Sequence, residues 1–210
     1  MDDRARPYRS VLYIPGSKAR ALEKAKGLPV DAIIFALEAA VAPDEQANAR
    51  KLLMETLAAG GYGARSQLIR INGFDSAWGT ADFEAAVAIG PQAILLPKVI
   101  KAADVARVAA MLDTNPACRE TKIWAMMETA DCILNAAEIA RAPRMGGFIL
   151  GTNDLAKELM CKFRADREPL MTSLQLCLLA ARAAGIAVVD GVYNAFRDED
   201  GLRAECEQGR

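Results

Sequence analysis

Short apolar runs and amphipathic segments alternate along this chain with a spacing of roughly 30 residues, the period of strand-helix units in a parallel sheet. The runs are SVLYIP (10–15), AIIFAL (32–37), QLIRIN (67–72), AILLPK (93–98), KIWAMME (122–128), GFILG (147–151) and IAVVDGV (186–192). Each is short, apolar on both faces and bounded by turn residues, as strands buried in a parallel sheet should be. Helical patterns fill the intervals at 18–26, 43–59, 79–89, 101–113, 129–142, 154–162 and 168–184, and a last one begins near Asp198. The expectation is one α/β domain over residues 1–210.

Seven βα units in succession suggest a (β/α)8 TIM barrel rather than an open doubly wound sheet. The first βα turn reads IPGSKAR, so the GxGxxG dinucleotide fingerprint is absent. A complete barrel takes about 250 residues. This chain ends at AECEQGR, where an eighth strand would start, so the expected barrel is shortened at its C-terminus.

The residue inventory limits the chemistry. No histidine is present, which removes Ser-His-Asp and Cys-His catalysis, His-ligated zinc and an imidazole base together. Five widely spaced cysteines without a CxxC pair read as reduced, mostly buried thiols. A net charge of −1 gives no footprint for nucleic acid or an anionic membrane. No apolar run approaches a membrane span, and MDDRARPYRS lacks the apolar centre of a signal peptide, so the expected location is the cytoplasm.

In a barrel the chemistry sits at the C-terminal ends of the strands. Those ends carry Glu38, Arg70 with Asn72, Pro97-Lys98, Glu128-Thr129, Asn153 with Asp154, and Asp190 with Tyr193 and Asn194. Thr129 and Asn153 are also ordinary helix caps. Arg70 inside an apolar strand and Glu128 directly after WAMM are harder to explain that way, because a buried charge needs a partner. Glu128 and Asp154 lie one βα unit apart and could share a cation. Oxygen ligands without His or Cys favour Mg²⁺, completed by water and substrate, and Arg70 would then face the substrate's negative charge.

RSVLYIPGSKARALEKA, ALEAAVAPDE, LIRING, LLPKV, WAMMETADCILNAAEIA and GTNDLAKEL occur in order, followed by VVDGVYNAFRDEDGLRAECEQGR. Together they resemble the citrate lyase β-subunit-like branch of the HpcH/HpaI aldolase superfamily, which includes malyl-CoA and citramalyl-CoA lyases. The resemblance implies a TIM barrel assembled as a homo-oligomer, a trimer or hexamer. It implies Mg²⁺-dependent carbon–carbon cleavage of a CoA thioester of the malyl-, methylmalyl-, citramalyl- or citryl-CoA type. By motif, Glu128 and Asp154 would hold the metal and Arg70 would bind substrate and stabilise the enolate. Glu38 would belong to the catalytic rim, with Arg9, Lys18 and Lys98 as further substrate-binding cations.

The chain departs from the family pattern in three places. The family's DLEDAV reads Ala36-Leu37-Glu38-Ala39-Ala40-Val41 here, with both aspartates replaced by alanine. Lys18 follows PGS where the family often has asparagine, and the C-terminal G-x-x-G-K-x-x-I-H-P segment lies beyond Arg210. Loss of acids around a metal site costs about 10–100-fold in affinity or activity. The alternative reading is therefore a weakened paralogue that binds CoA esters or serves as a partner subunit.

A seven-unit barrel leaves its first and last strands with unpaired edges, which associate unless covered. The expected outcome in multi-angle light scattering is a mass above that of one chain, and a clean monomer would count against it.

Overall fold

The computed structural model describes residues 8–38 and 41–210. Ala39, one of the two alanines replacing a family aspartate, lies outside the described residues. Seven strands form one parallel sheet in chain order: β1 (Val11–Pro15), β2 (Ala32–Ala36), β3 (Ser66–Arg70), β4 (Ala93–Leu96), β5 (Lys122–Met127), β6 (Met145–Leu150) and β7 (Ala187–Val189). Adjacent parallel strands need a crossover, and the helices supply it. These are α1 (Ala19–Ala25), α2 (Gln46–Ala59), α3 (Gly79–Ile89), α4 (Ala102–Asp113), the short pair α5 (Ala130–Leu134) and α6 (Ala136–Ile139), α7 (Thr152–Glu158) and α8 (Met171–Ala184). A final helix, α9 (Glu199–Gly209), follows β7. The sheet is a curled half-barrel, a shortened (β/α)8 architecture, and no β1–β7 pairing closes it among the described residues.

Strand alternation divides the apolar residues between two layers. Ile33 and Phe35 of β2, Ile69 of β3, Ile94 of β4 and Phe148 of β6 pack outward under the helices in the main core. Ala32, Ile34, Leu68, Ala93, Leu95, Trp124, Met126 and Ile149 form a second cluster on the inner face, with Tyr13, Ala187 and Val189 against it. The central strands β2 and β4 are buried throughout, whereas β1 and β7, each paired on one side, are mostly half-buried.

Local chemistry accounts for most boundaries. Gly90 and Gly185, at φ 63° and 70°, end α3 and α8 in the left-handed conformation that glycine adopts without strain. The helix expected over 129–142 is broken at Asn135, whose amide nitrogen donates to the Ile100 carbonyl at 3.0 Å instead of leaving the chain to continue one helix. The strand expected over 186–192 pairs only at Ala187–Val189, because Asp190 turns away to Arg167.

Trp124 spans the inner face, and β6 accommodates it with glycine. A Cβ on Gly147 would lie 2.8 Å from the indole ring, inside contact distance. Gly147→Ala should therefore destabilise by about 1–3 kcal/mol through overpacking. The check is a lower denaturant midpoint with an unchanged slope.

Candidate active site

The inner positions of the strands become polar at their C-terminal ends. Arg70, last residue of β3, follows Leu68 on the same face, and Glu128 follows Met126 just after β5. Ala36 stands opposite Arg70 in the β2–β3 ladder. Pairing continues one step further, where the Leu37 amide donates to the Arg70 carbonyl at 2.9 Å, and this brings Glu38 beside Arg70. The Arg70 guanidinium donates through Nη2 to Glu38 Oε2 and forms an ion pair with it.

Three further features mark the surroundings of Arg70. Its guanidinium carbon lies 5.5 Å from the centroid of the Tyr13 ring, within cation–π range. Tyr13 is itself fixed, its hydroxyl donating to Met126 Sδ at 3.3 Å, and burial pushes the phenol pKa up. Arg70 Nε is buried with no hydrogen-bond partner among the described residues. An unsatisfied buried donor costs about 1–3 kcal/mol, so this atom is a point of local strain in the rim.

Glu128 is 5% exposed. Its Oε1 accepts the Lys98 backbone N–H at 2.7 Å, which Lys98 delivers from a left-handed conformation at φ 48°. Such a backbone is costly for a residue other than glycine and persists where the surroundings enforce it. Gly151 makes room on the other side, since a Cβ there would lie 2.4 Å from Glu128 Cβ. Burial raises the Glu128 pKa, and the charges of Asp154 and Glu38 push it further up, while Lys98 N–H and Arg70 pull it down.

Two oxygen-bearing acids that repel each other at the mouth of a half-barrel fit a hard divalent cation, which would relieve the repulsion. With Glu128 Oε1 engaged, Oε2 accepts no hydrogen bond among the described residues, and Asp154 is exposed in the first turn of α7. No group of three or more Asp, Glu, Cys or His side chains gathers to hold a metal among the described residues. The pair matches Mg²⁺, which keeps several waters and leaves positions for substrate oxygens.

Other expected groups are placed differently. Arg9 precedes β1 and so sits at the opposite, N-terminal end of the sheet. There its exposed guanidinium forms an ion pair with Asp31 at 2.7 Å, remote from Arg70 along the length of the strand. That position removes it from the rim, and the Arg9 pairing lowers the Asp31 carboxyl to about 2. Lys18 occupies the N-cap position of α1 at the same end as Arg70, with its side chain exposed and making no cap hydrogen bond. Lys98 contributes its backbone N–H to the site while its side chain is exposed.

Asp190 binds Arg167 Nη1 at 2.7 Å, and Glu205 and Gln208 hold the same guanidinium, so this strand end anchors α9. Asn153 and Asn194 pair with each other, and the Tyr193 hydroxyl donates to Asp198 at 2.8 Å. Thr129 caps α5, accepting the Cys132 amide at 3.2 Å. Sequence reasoning missed Tyr13, which reads as one more apolar residue of VLYIP. It also missed Asp82, whose place in the first turn of α3 looks like ordinary helix-dipole compensation.

The sequence profile of the HpcH/HpaI aldolase/citrate lyase family matches residues 9–210. A (3S)-malyl-CoA thioesterase of Cereibacter sphaeroides strain KD131 is 60% identical over 210 residues, covering 100% of this chain and 72% of that protein. The citrate lyase subunit beta of Escherichia coli K12 is 35% identical over 213 residues, covering 97% of this chain and 69% of the relative. Among solved structures, protein CitE from Mycobacterium tuberculosis in complex with magnesium, acetoacetate and coenzyme A superposes with a TM-score of 0.78 at 29% identity. That match covers 96% of this chain and 72% of the other.

The Glu128 shift fixes a stability dependence. A carboxyl whose folded pKa is raised contributes stability below its unfolded value and loses it as pH rises through the folded value. Glu128→Gln keeps the acceptor for Lys98 N–H without the buried charge. In metal-free protein it should raise the denaturant midpoint at pH 7, and the advantage over the parent should vanish below about pH 4, the ordinary glutamate range.

Proposed function

This chain belongs to the HpcH/HpaI aldolase/citrate lyase family, and from that premise we propose a Mg²⁺-dependent enzyme acting on a malyl-CoA-type thioester. The observation that carries the reading is Arg70: its half-buried guanidinium, still 13% exposed, lies within electrostatic reach of Glu128, which also feels the Asp154 charge, so an anionic oxygen could meet it next to a cation. Glu128 and Asp154 would hold the metal. Mg²⁺ would polarise a substrate oxygen and lower the charge that accumulates on it. The magnesium and coenzyme A complex of CitE supports both the ion and the thioester class.

The 60% identical relative, a (3S)-malyl-CoA thioesterase, favours hydrolysis. In that reaction the oxygen of water attacks the thioester carbonyl, the C–S bond breaks, and the CoA thiol leaves with a proton. Arg70 compensates the oxyanion. Glu38, with its side chain 25% exposed beside Arg70, is the reachable carboxylate that takes the proton from water.

A second reading is carbon–carbon cleavage, favoured by a guanidinium that lies well placed for an enolate. There Glu38 takes the proton of the substrate hydroxyl, the bond between the hydroxyl-bearing carbon and the carbon next to the thioester breaks, and the electron pair passes to a thioester enolate at Arg70. Protonation then gives the acyl-CoA and an aldehyde or keto acid. Ala36, where the family motif has aspartate, puts a methyl opposite Arg70, so either reaction runs with one acid fewer on that strand. A homo-oligomer and a cytoplasmic location complete the proposal. No helix of the described residues is long and apolar enough to cross a membrane.

Incubation with Mg²⁺ and (3S)-malyl-CoA, followed by chromatography, separates the two readings. Malate with free CoA identifies hydrolysis, and glyoxylate with acetyl-CoA identifies cleavage. Arg70→Lys should lower kcat by about 10²–10³, the cost of one oxyanion donor. Neither product pair from folded, Mg²⁺-loaded protein would overturn the proposal. Calorimetric binding of the thioester without turnover would mark the weakened paralogue instead.

A further inference from the structure

Behind the Arg70–Glu38 pair lies a buried polar network that the proposed chemistry does not use directly. Asp82 of α3 is fully buried. Its Oδ2 accepts from the Asn72 backbone N–H at 3.0 Å and from Asn72 Nδ2 at 2.6 Å, and its Oδ1 accepts from Arg50 Nε at 2.8 Å. Asn72 Nδ2 shares its two hydrogens between Asp82 and two further acceptors, the Leu37 carbonyl at 3.1 Å and Gln46 Oε1 at 3.0 Å. Gln46, the first residue of α2, donates through Nε2 to the Val41 carbonyl at 3.2 Å. Gln46 and Asn72 are 3% and 5% exposed.

A polar cluster this deep needs every member satisfied, and apolar side chains of similar volume would often stabilise the fold as well or better. Its geometry shows what it holds. The two backbone carbonyls it grips, Leu37 and Val41, lie on either side of Glu38. Asn72 lies two residues beyond Arg70, and the Leu37 amide donates to the Arg70 carbonyl. Gly79 lets α3 approach, since a Cβ there would lie 2.3 Å from the Gly73 carbonyl oxygen. One network thus ties α2, α3 and the end of β3 to both flanks of the acid that pairs with Arg70.

We infer that Gln46, Asn72 and Asp82 are positioning residues that fix Glu38 against Arg70, with Arg50 balancing the buried Asp82 charge. Their catalytic consequence rests on the function proposed above; the positioning itself does not. Without the frame the ion pair still forms, but Glu38 samples other rotamers and Arg70 loses its orientation. Positioning of this kind acts on the chemical step rather than on binding.

The test is Gln46→Met, an apolar replacement of similar length that removes the grip on Val41 and one acceptor for Asn72. Nitrogen-15 NMR of the arginine side chains, with Arg70→Lys to assign the signal, reads the pair without any substrate. In the parent, hindered rotation should keep the two Arg70 Nη signals apart, and in the variant they should merge. On the thioester, kcat should fall about tenfold with KM within about twofold, which is a barrier change near 1.4 kcal/mol.

Gln46→Glu keeps the acceptor for Asn72 and gives up the donation to Val41. It should loosen the pair in the same direction by less, and it serves if the methionine variant does not fold. Unchanged Arg70 signals in a folded Gln46 variant would overturn the inference. So would a rate loss that tracks only the folded fraction. If the parent turns over no thioester, the proposed function falls while the NMR comparison still decides the positioning.

Discussion

Six consecutive strand pairs run parallel and in chain order, so each new strand must be reached by a crossover lying outside the sheet. That constraint sends α1–α8 to one face and leaves the other face to close on itself as a curl. It also aligns every strand end at one rim, where the chain turns from strand to helix. The β2–β3 ladder, continued by the Leu37 amide on the Arg70 carbonyl, is the part on which the site depends most. A slip of one residue in that register would turn Arg70 outward into the helical layer.

At the rim the electrostatics are arranged without imidazole. Arg70 is the fixed positive charge, paired with Glu38 and stacked near Tyr13, and it acts on Glu128, which also feels the charge of Asp154. Burial makes Glu128 and the half-buried Arg70 more demanding of their neighbours, since charges in a low-dielectric interior interact more strongly than in water. Glu128 illustrates the balance. Its burial favours the neutral form, whereas Lys98 N–H and Arg70 favour the carboxylate. A divalent cation at the pair would bring the ionised form fully into use.

The rim carries a second kind of polar group, used for assembly of the fold. Arg167, 2% exposed, gathers Asp190, Glu205 and Gln208 and fastens α9 to the end of β7. α9 has no buried residue of its own, so a polar clasp replaces an apolar stripe there. This explains why Asp190, an acid at a strand end like Asp154, is turned toward a guanidinium of its own chain.

The sequence by itself determined the succession of seven strands and their helices, because short apolar runs punctuated by turn residues admit few other parallel folds. It also singled out Arg70 and Glu128, since a charge set directly against a buried apolar run needs a partner there. Thr129 was legible as a cap from its place before a helix. Only the tertiary structure separated Arg9 from the rim, brought the Lys98 backbone N–H onto Glu128, and turned Asp190 inward to Arg167. It alone revealed Tyr13 beneath Arg70 and the Gln46–Asn72–Asp82 frame. The reason is that a strand's periodicity specifies which face a residue occupies, whereas the partner it meets there is set by register and by crossovers from residues 10 to 35 positions away.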